Sequence, residues 1–339
     1  MLAKPSNAKA SARVTVLRVF HAAEWSYQMA KVRPFSAIAI FVLVSAGITA
    51  VSVGTAAAAA DSPFCETSAI AGRLLSASTG EQRNGDMREP DLGEVHEDLP
   101  ASAKGKANKQ FKATVPVYFH VVTDGTIGAL TDAQIDVQID VLNNTFSAGE
   151  GGANPGFKFQ LVDVTRTDNA DWFFTGPGGN SEHSMKQALH QGGNDALNVY
   201  STTAGPYLGW AYLPSIVTKP GQAYLDGVVI DWESWLGTST TYAGRFDQGE
   251  TGTHEVGHWL NLEHTFFGGC NAKGDFVDDT PAQRTPTSGC PEGKDTCKEP
   301  GLDPIHNYMD YSYDTCYTEF TAGQAQRMRD AWLFYRTAA

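Results

Sequence analysis

Residues 253–266 read THEVGHWLNLEHTF. His254 and His258 are four apart, so on a helix they share one face, and both imidazoles can reach a single zinc ion at about 2.0–2.1 Å. Glu255 lies about 100° round the same helix, where it flanks the metal rather than binding it and can hold a water. A zinc hydrolase needs that arrangement: the metal lowers the pKa of the water, and the carboxylate takes its proton and later passes it to a leaving amine. His264 follows His254 by ten residues. On an unbroken helix it would sit about 15 Å further along the axis and about 80° away from the histidine face. For His264 to join the same ion, the helix must end after His258 and the chain must turn back. Asn261 is the natural turning point, because asparagine tolerates the left-handed conformation. A purely structural zinc site is closed by four protein ligands and needs no neighbouring base, so Glu255 argues for a catalytic site with an open position.

The rest of the chain suits such an enzyme. Its 339 residues are 42% hydrophobic and 19% charged, the composition of an ordinary globular protein. With 25 Lys+Arg against 38 Asp+Glu, the formal net charge of -13 excludes electrostatic nucleic-acid binding. Lys31 and Arg33 precede an uncharged, largely apolar run that closes on the small residues Ala56 to Ala60. This is a secretory leader with cleavage near Ala60-Asp61. Residues 1–28 fit no part of a leader, which suggests a translation start at Met29. The rival reading, a single membrane anchor, is less consistent with an Ala-, Gly- and Ser-rich run ending in an Ala-x-Ala site. No other segment approaches a membrane span, so the mature protein is expected to be secreted, extracellular, without stable membrane association, and monomeric.

An oxidising compartment changes the reading of the five cysteines. Cys270, Cys290, Cys297 and Cys316 crowd into the last 70 residues. They suggest two disulfides, with three connectivities open on counting alone. Cys65 stands apart near the start of the secreted chain.

Beyond the leader the chain divides in two. Residues 61–112 are charged and polar, with Phe64 and Phe111 the only aromatics. They read as a propeptide, or else a linker, that can bury little apolar surface. From 113 to 339 the sequence reads as one catalytic domain. VPVYFHVV (115–122) is strongly β-prone. Residues 131–146 read as a helix, capped by Thr131 with Gln134 completing a capping box and Ile135, Ile139, Leu142 and Phe146 on one face. Strands are expected over 157–164, 197–200, 208–213 and 227–231, and a helix over 181–191.

The long motif resembles that of the metzincin zinc peptidases, His-Glu-x-x-His-x-x-Gly-x-x-His, with Asn261 standing in the glycine position. The wider resemblance is to the pappalysin family. It covers HEVGHWLNLEHTF, GDFVDDTPAQ (274–283) and GLDPIHNYMDYSYDTCYTEFTAGQAQRM (301–328), with VPVYFHVV, LNVYSTT and LGWAYLPS similar upstream. It implies an α+β fold: a mixed twisted sheet, an active-site helix and a loop-rich C-terminal subdomain stapled by disulfides. It also implies a secreted zinc-dependent endopeptidase acting on protein or peptide substrates, with Glu255 as general base. The alternative is an inactive or non-peptidase zinc-binding domain of the same fold. In NYMDYS (307–312) the resemblance puts Met309 in a tight turn beneath the metal and Tyr311 near it as an oxyanion stabiliser. It selects the pairing Cys270–Cys297 and Cys290–Cys316. It gives LGWAYLPS as the sheet edge that receives an extended substrate. Calcium at Asp275, Asp278 and Thr280 fits both the family and the preference of that ion for hard oxygens. Related zymogens close the zinc site with a propeptide cysteine, a role that falls here to Cys65 in the partly matching Cys65-Glu66-Thr67. His306 is expected to be structural, and His120, His183 and His190 lack metal-like spacing.

Overall fold

The β-prone run opens the sheet. In the computed structural model, which describes residues 89–337 apart from 91, 95, 109 and 272, strand β1 spans Ala113–Thr123. Helix α1 (Asp132–Thr145) follows and carries the expected capping box, Thr131 accepting from the Gln134 amide while the Gln134 side chain reaches back to the cap. Then come β2 (Phe157–Asp168), a single helical turn at Ala170–Phe173, α2 (Asn180–Leu189), β3 (Leu197–Thr202), β4 (Gly209–Ala211) and β5 (Val228–Asp231). The strands form one sheet in the order β2-β1-β3-β5-β4. Strands β2, β1, β3 and β5 run parallel in three neighbouring pairs, which forces crossover connections, and β4 is antiparallel at the edge. A mixed sheet with helices on its faces is the α+β architecture that the family resemblance implied.

Period-two alternation sorts the side chains. Val115, Val117, Phe119 and Val121 face α1 and the histidine-bearing helix α3 (Glu250–Trp259), packing with Ile135, Leu142, Val256 and Trp259. Val122, with Tyr200, Trp210 and Val229, faces Phe173 and Met185 on the other side. His120 lies within the sheet, fully buried, bonded to Thr165 Oγ1 at 2.8 Å and Asn198 Oδ1 at 3.0 Å. Burial pushes its pKa down to about 4, so it is a neutral structural histidine.

Both disulfides of the C-terminal region form with the expected pairing, Cys270–Cys297 and Cys290–Cys316. They staple a region with little regular structure before α4 (Ala322–Ala331), whose first turn is capped by Thr321 and by Asp279, the latter accepting from Gly323 N at 2.9 Å. His306 donates to the Cys316 carbonyl across 2.6 Å and so is structural.

The polar stretch before β1 differs from expectation. Leu99 and Ala103 are buried against Ala331, and three successive amides, of Gly105, Lys106 and Ala107, donate to the Asp330 carboxylate at 2.7–2.9 Å. Poor in apolar residues, this stretch docks mainly through hydrogen bonds and ion pairs, which composition does not reveal.

Candidate active site

Helix α3 starts at Gly249, whose φ of 94° suits glycine, and every residue from Glu250 to Trp259 is buried. At its far end the chain turns at Asn261, φ 77°, in the left-handed region expected of it. The Asn261 amide donates to the His258 carbonyl at 2.8 Å and that of Leu262 to the Gly257 carbonyl at 3.0 Å. The turn brings His264 back to the histidine face. His258 Nε2 lies 3.1 Å from His254 Nε2 and 3.1 Å from His264 Nε2.

Two rings are locked from behind. His254 Nδ1 donates to the Tyr308 carbonyl at 2.6 Å, and His258 Nδ1 to the Leu262 carbonyl at 2.7 Å. A carbonyl only accepts, so the proton sits on Nδ1 and the lone pair on Nε2 points inward. His264 is stacked on Phe266 with ring centres 4.7 Å apart. Inward-facing lone pairs about 3 Å apart repel one another unless a cation lies between them, and neutral imidazole nitrogens in this array suit zinc.

Met309 lies directly beneath. It is fully buried, and a Cβ added at Gly257 would come within 2.4 Å of its Sδ. Its turn is held by Asn307, which exchanges two side-chain hydrogen bonds with Gln324 of α4 at 2.7 and 3.0 Å. The Tyr311 ring stands 4.9 Å from that of His264 and 5.7 Å from that of His254. Glu255 is buried, and its Oε2 has no hydrogen-bond partner. Burial raises its pKa, and the negative charge of Glu89 adds to the effect. On the sheet side Gly209 of β4 approaches so closely that a Cβ there would meet Glu255 Oε1 at 2.8 Å. The edge strand and the carboxylate thus share one cleft.

The wall beside Glu255 holds a buried acid pair. Burial, with the Asp314 charge next, lifts Glu250 to about 9, and burial lifts Asp314 to about 7. The pair therefore holds a proton at neutral pH.

Residues 253–266 did not announce Glu89. Its Oε1 lies 2.7, 3.2 and 3.0 Å from the Nε2 atoms of His254, His258 and His264, and its amide donates to the Tyr311 hydroxyl at 3.2 Å. One glutamate in an acidic, aperiodic stretch carries no local signal of such a role. Two further groupings of potential metal donors among the described residues are built on Cys270, Cys297, Cys290 and Cys316, whose sulfurs are taken up in disulfides. Asp275 is buried with Oδ2 unpartnered, and Thr280 Oγ1 is unpartnered too. Asp278 and Asp279 are more open, and Asp279 is committed to capping α4. Cys65 lies outside the described residues.

The sequence profile of the peptidase family described as pregnancy-associated plasma protein-A matches residues 226–332. An extracellular metalloprotease of Arthroderma benhamiae is 45% identical over 228 residues, 66% of this chain and 73% of that protein. One from Neurospora crassa is 44% identical over 244 residues, covering 70% and 81%. Mature mirolysin of Tannerella forsythia, solved with a cleaved peptide, is 31% identical and superposes with a TM-score of 0.55 over 65% of this chain and 91% of that one. A metalloprotease family implies a catalytic zinc, and the three convergent nitrogens fit one. The chain belongs to the pregnancy-associated plasma protein-A, or pappalysin, family, as an extracellular metalloendopeptidase with the metzincin fold.

Proposed function

We propose that the mature chain cleaves internal bonds of extended protein segments, with His254, His258 and His264 holding the zinc and Glu255 acting as the general base. The observation that carries this reading is the convergence of three Nε2 atoms beside a buried carboxylate at a sheet edge. When bound, the zinc polarises both a water and the peptide carbonyl. The substrate backbone adds to the free side of β4, which lays its scissile bond along the cleft. Glu255 Oε2, buried and unpartnered, accepts a proton from the water as its oxygen joins the carbonyl carbon. Glu255 then gives that proton to the amide nitrogen, and the C–N bond breaks. The Tyr311 hydroxyl, beside the histidines, donates to the developing oxyanion.

Incubation of the zinc-loaded, matured enzyme with casein, followed by mass mapping, should give internal cuts that a zinc chelator abolishes. Glu255→Ala should keep the fold and the zinc yet lose activity by several orders of magnitude. A rate above about a tenth of wild type would remove Glu255 from the mechanism.

Calcium at Asp275, Asp278 and Thr280 belongs to the same proposal. It is supported by the two unpartnered oxygens and by burial, which lifts Asp275 to about 7 unless a cation compensates. Added calcium should then raise the melting temperature of the wild type and not that of Asp275→Asn. Equal responses would dismiss the ion.

A further inference from the structure

We propose that Glu263 is the floor of a substrate subsite that takes a cationic side chain, lysine or arginine, from the peptide being cut. The subsite deepens the endopeptidase reading above and rests on it.

Glu263 stands just before His264, in the turn that Asn261 makes, and takes no part in the proposed hydrolysis. Its side chain is 3% exposed, and its two oxygens differ. His96 Nδ1 donates to Oε2 at 2.9 Å, whereas Oε1 is buried without a partner. A buried carboxylate oxygen without a donor is costly, and one imidazole nitrogen serves only one of the two. A lysine ammonium carries three N–H donors and an arginine guanidinium five in a fork, so either satisfies both oxygens at once.

The carboxylate opens on the cleft. A cavity of about 350 Å³ is lined by Glu263 together with His258, His264, Trp210, Ala211 and Leu213, so two of the clustered histidines and the edge strand share one space with it. Strand β4 starts at Gly209, against Glu255, and the chain continues to Leu213 at this cavity. A substrate laid along that edge advances about 3.3 Å per residue, so the side chain that reaches Glu263 belongs to a residue within roughly four of the scissile bond. The acid pair Glu250 and Asp314 lies elsewhere, in the wall beside Glu255 and Gly209. The chain itself shows the subsite filled. Glu94 accepts from Leu213 N at 2.9 and 3.1 Å, and two residues on, the His96 ring lies between Glu263 and the Phe267 ring, whose centre is 5.1 Å away. The bond to Glu263 raises the His96 pKa, so this place favours the charged form of its occupant. A carboxylate paired with an aromatic face is a setting that suits a cation.

The matured, zinc-loaded enzyme is first given casein, and the cuts are mapped. Lysine and arginine should be enriched at one position within roughly four residues of the cut. Two synthetic peptides are then made that differ at that position alone, one with lysine and one with norleucine, which has a similar length and no charge. The wild type should cleave the lysine peptide with kcat/KM about tenfold higher or more, and Glu263→Gln should bring the two peptides within about twofold, mainly through KM. Glu263→Lys should reverse the order and favour a glutamate peptide over the lysine one. Zinc content is measured in each variant because Glu263 adjoins a metal-site histidine, and Glu263→Leu, which needs no partner, replaces Glu263→Gln if the latter does not hold zinc. Equal cleavage of the two peptides by the wild type, or a lysine preference that survives in a zinc-loaded Glu263 variant, would overturn the subsite and leave the endopeptidase standing. A zinc-loaded wild type that cuts neither casein nor the peptides would overturn both.

Discussion

Asn261 shows how one residue decides the chemistry. Its left-handed backbone, φ 77°, is what returns His264 to the face of His254 and His258, and its side-chain Nδ2 is buried without a partner. Both features cost stability, the conformation by about 1–2 kcal/mol for a residue with a Cβ, eased in part for asparagine. Asn261→Gly should therefore stabilise the protein by about 1 kcal/mol, and Asn261→Ala should destabilise it by a similar amount, as read from urea unfolding. Equal midpoints for the two would mean that the turn is unstrained. The turn was legible because an unbroken helix carries His264 to the wrong place. Glu255 was legible for the same geometric reason. Glu89 was not, because only tertiary docking distinguishes it from its acidic neighbours.

At the scale of the element, helix α3 is clamped at both ends. Near its start Gln138 of α1 donates to the Gly249 carbonyl at 3.0 Å, and a Cβ at Gly252 would strike Gln138 Nε2. At its end Arg336 donates to the Trp259 carbonyl at 2.7 Å, stacks over the Trp259 ring at 3.5 Å, and pairs with Asp226 at 2.8 Å. Trp259 Nε1 donates to the same carboxylate at 3.0 Å. Removing Arg336 strands a buried charge, so Arg336→Met should cost about 3–5 kcal/mol in denaturant unfolding. A loss under about 1 kcal/mol would mean that Asp226 is compensated elsewhere. Edge strand β4 has a comparable support: Trp210 Nε1 donates to the buried Glu182 at 2.8 Å, and Glu182 is itself paired with the fully buried Lys186. Sequence reading placed a helix over 181–191, ended by Gly192-Gly193, and a short strand over 208–213, where α2 and β4 lie. It could not see these ionic pins, because Lys and Glu one turn apart look like a solvated helix face.

At the scale of the whole molecule, individual strands and helices were legible from alternation, capping and turn residues, while the mixed sheet and its edge strand came from the family resemblance. The disulfide pairing was fixed by family resemblance, because counting leaves three choices open. The docking of residues 89–107 stayed hidden, because hydrogen bonds to Asp330 and Leu213 leave no hydrophobic pattern. The central claim is that one zinc ion is held by three histidines drawn together by the turn at Asn261. Metal analysis of the matured enzyme tests it most directly. About one tightly held zinc per chain is expected, lost to dialysis when His264 is replaced by alanine. Full zinc retention and activity in His264→Ala would contradict the account.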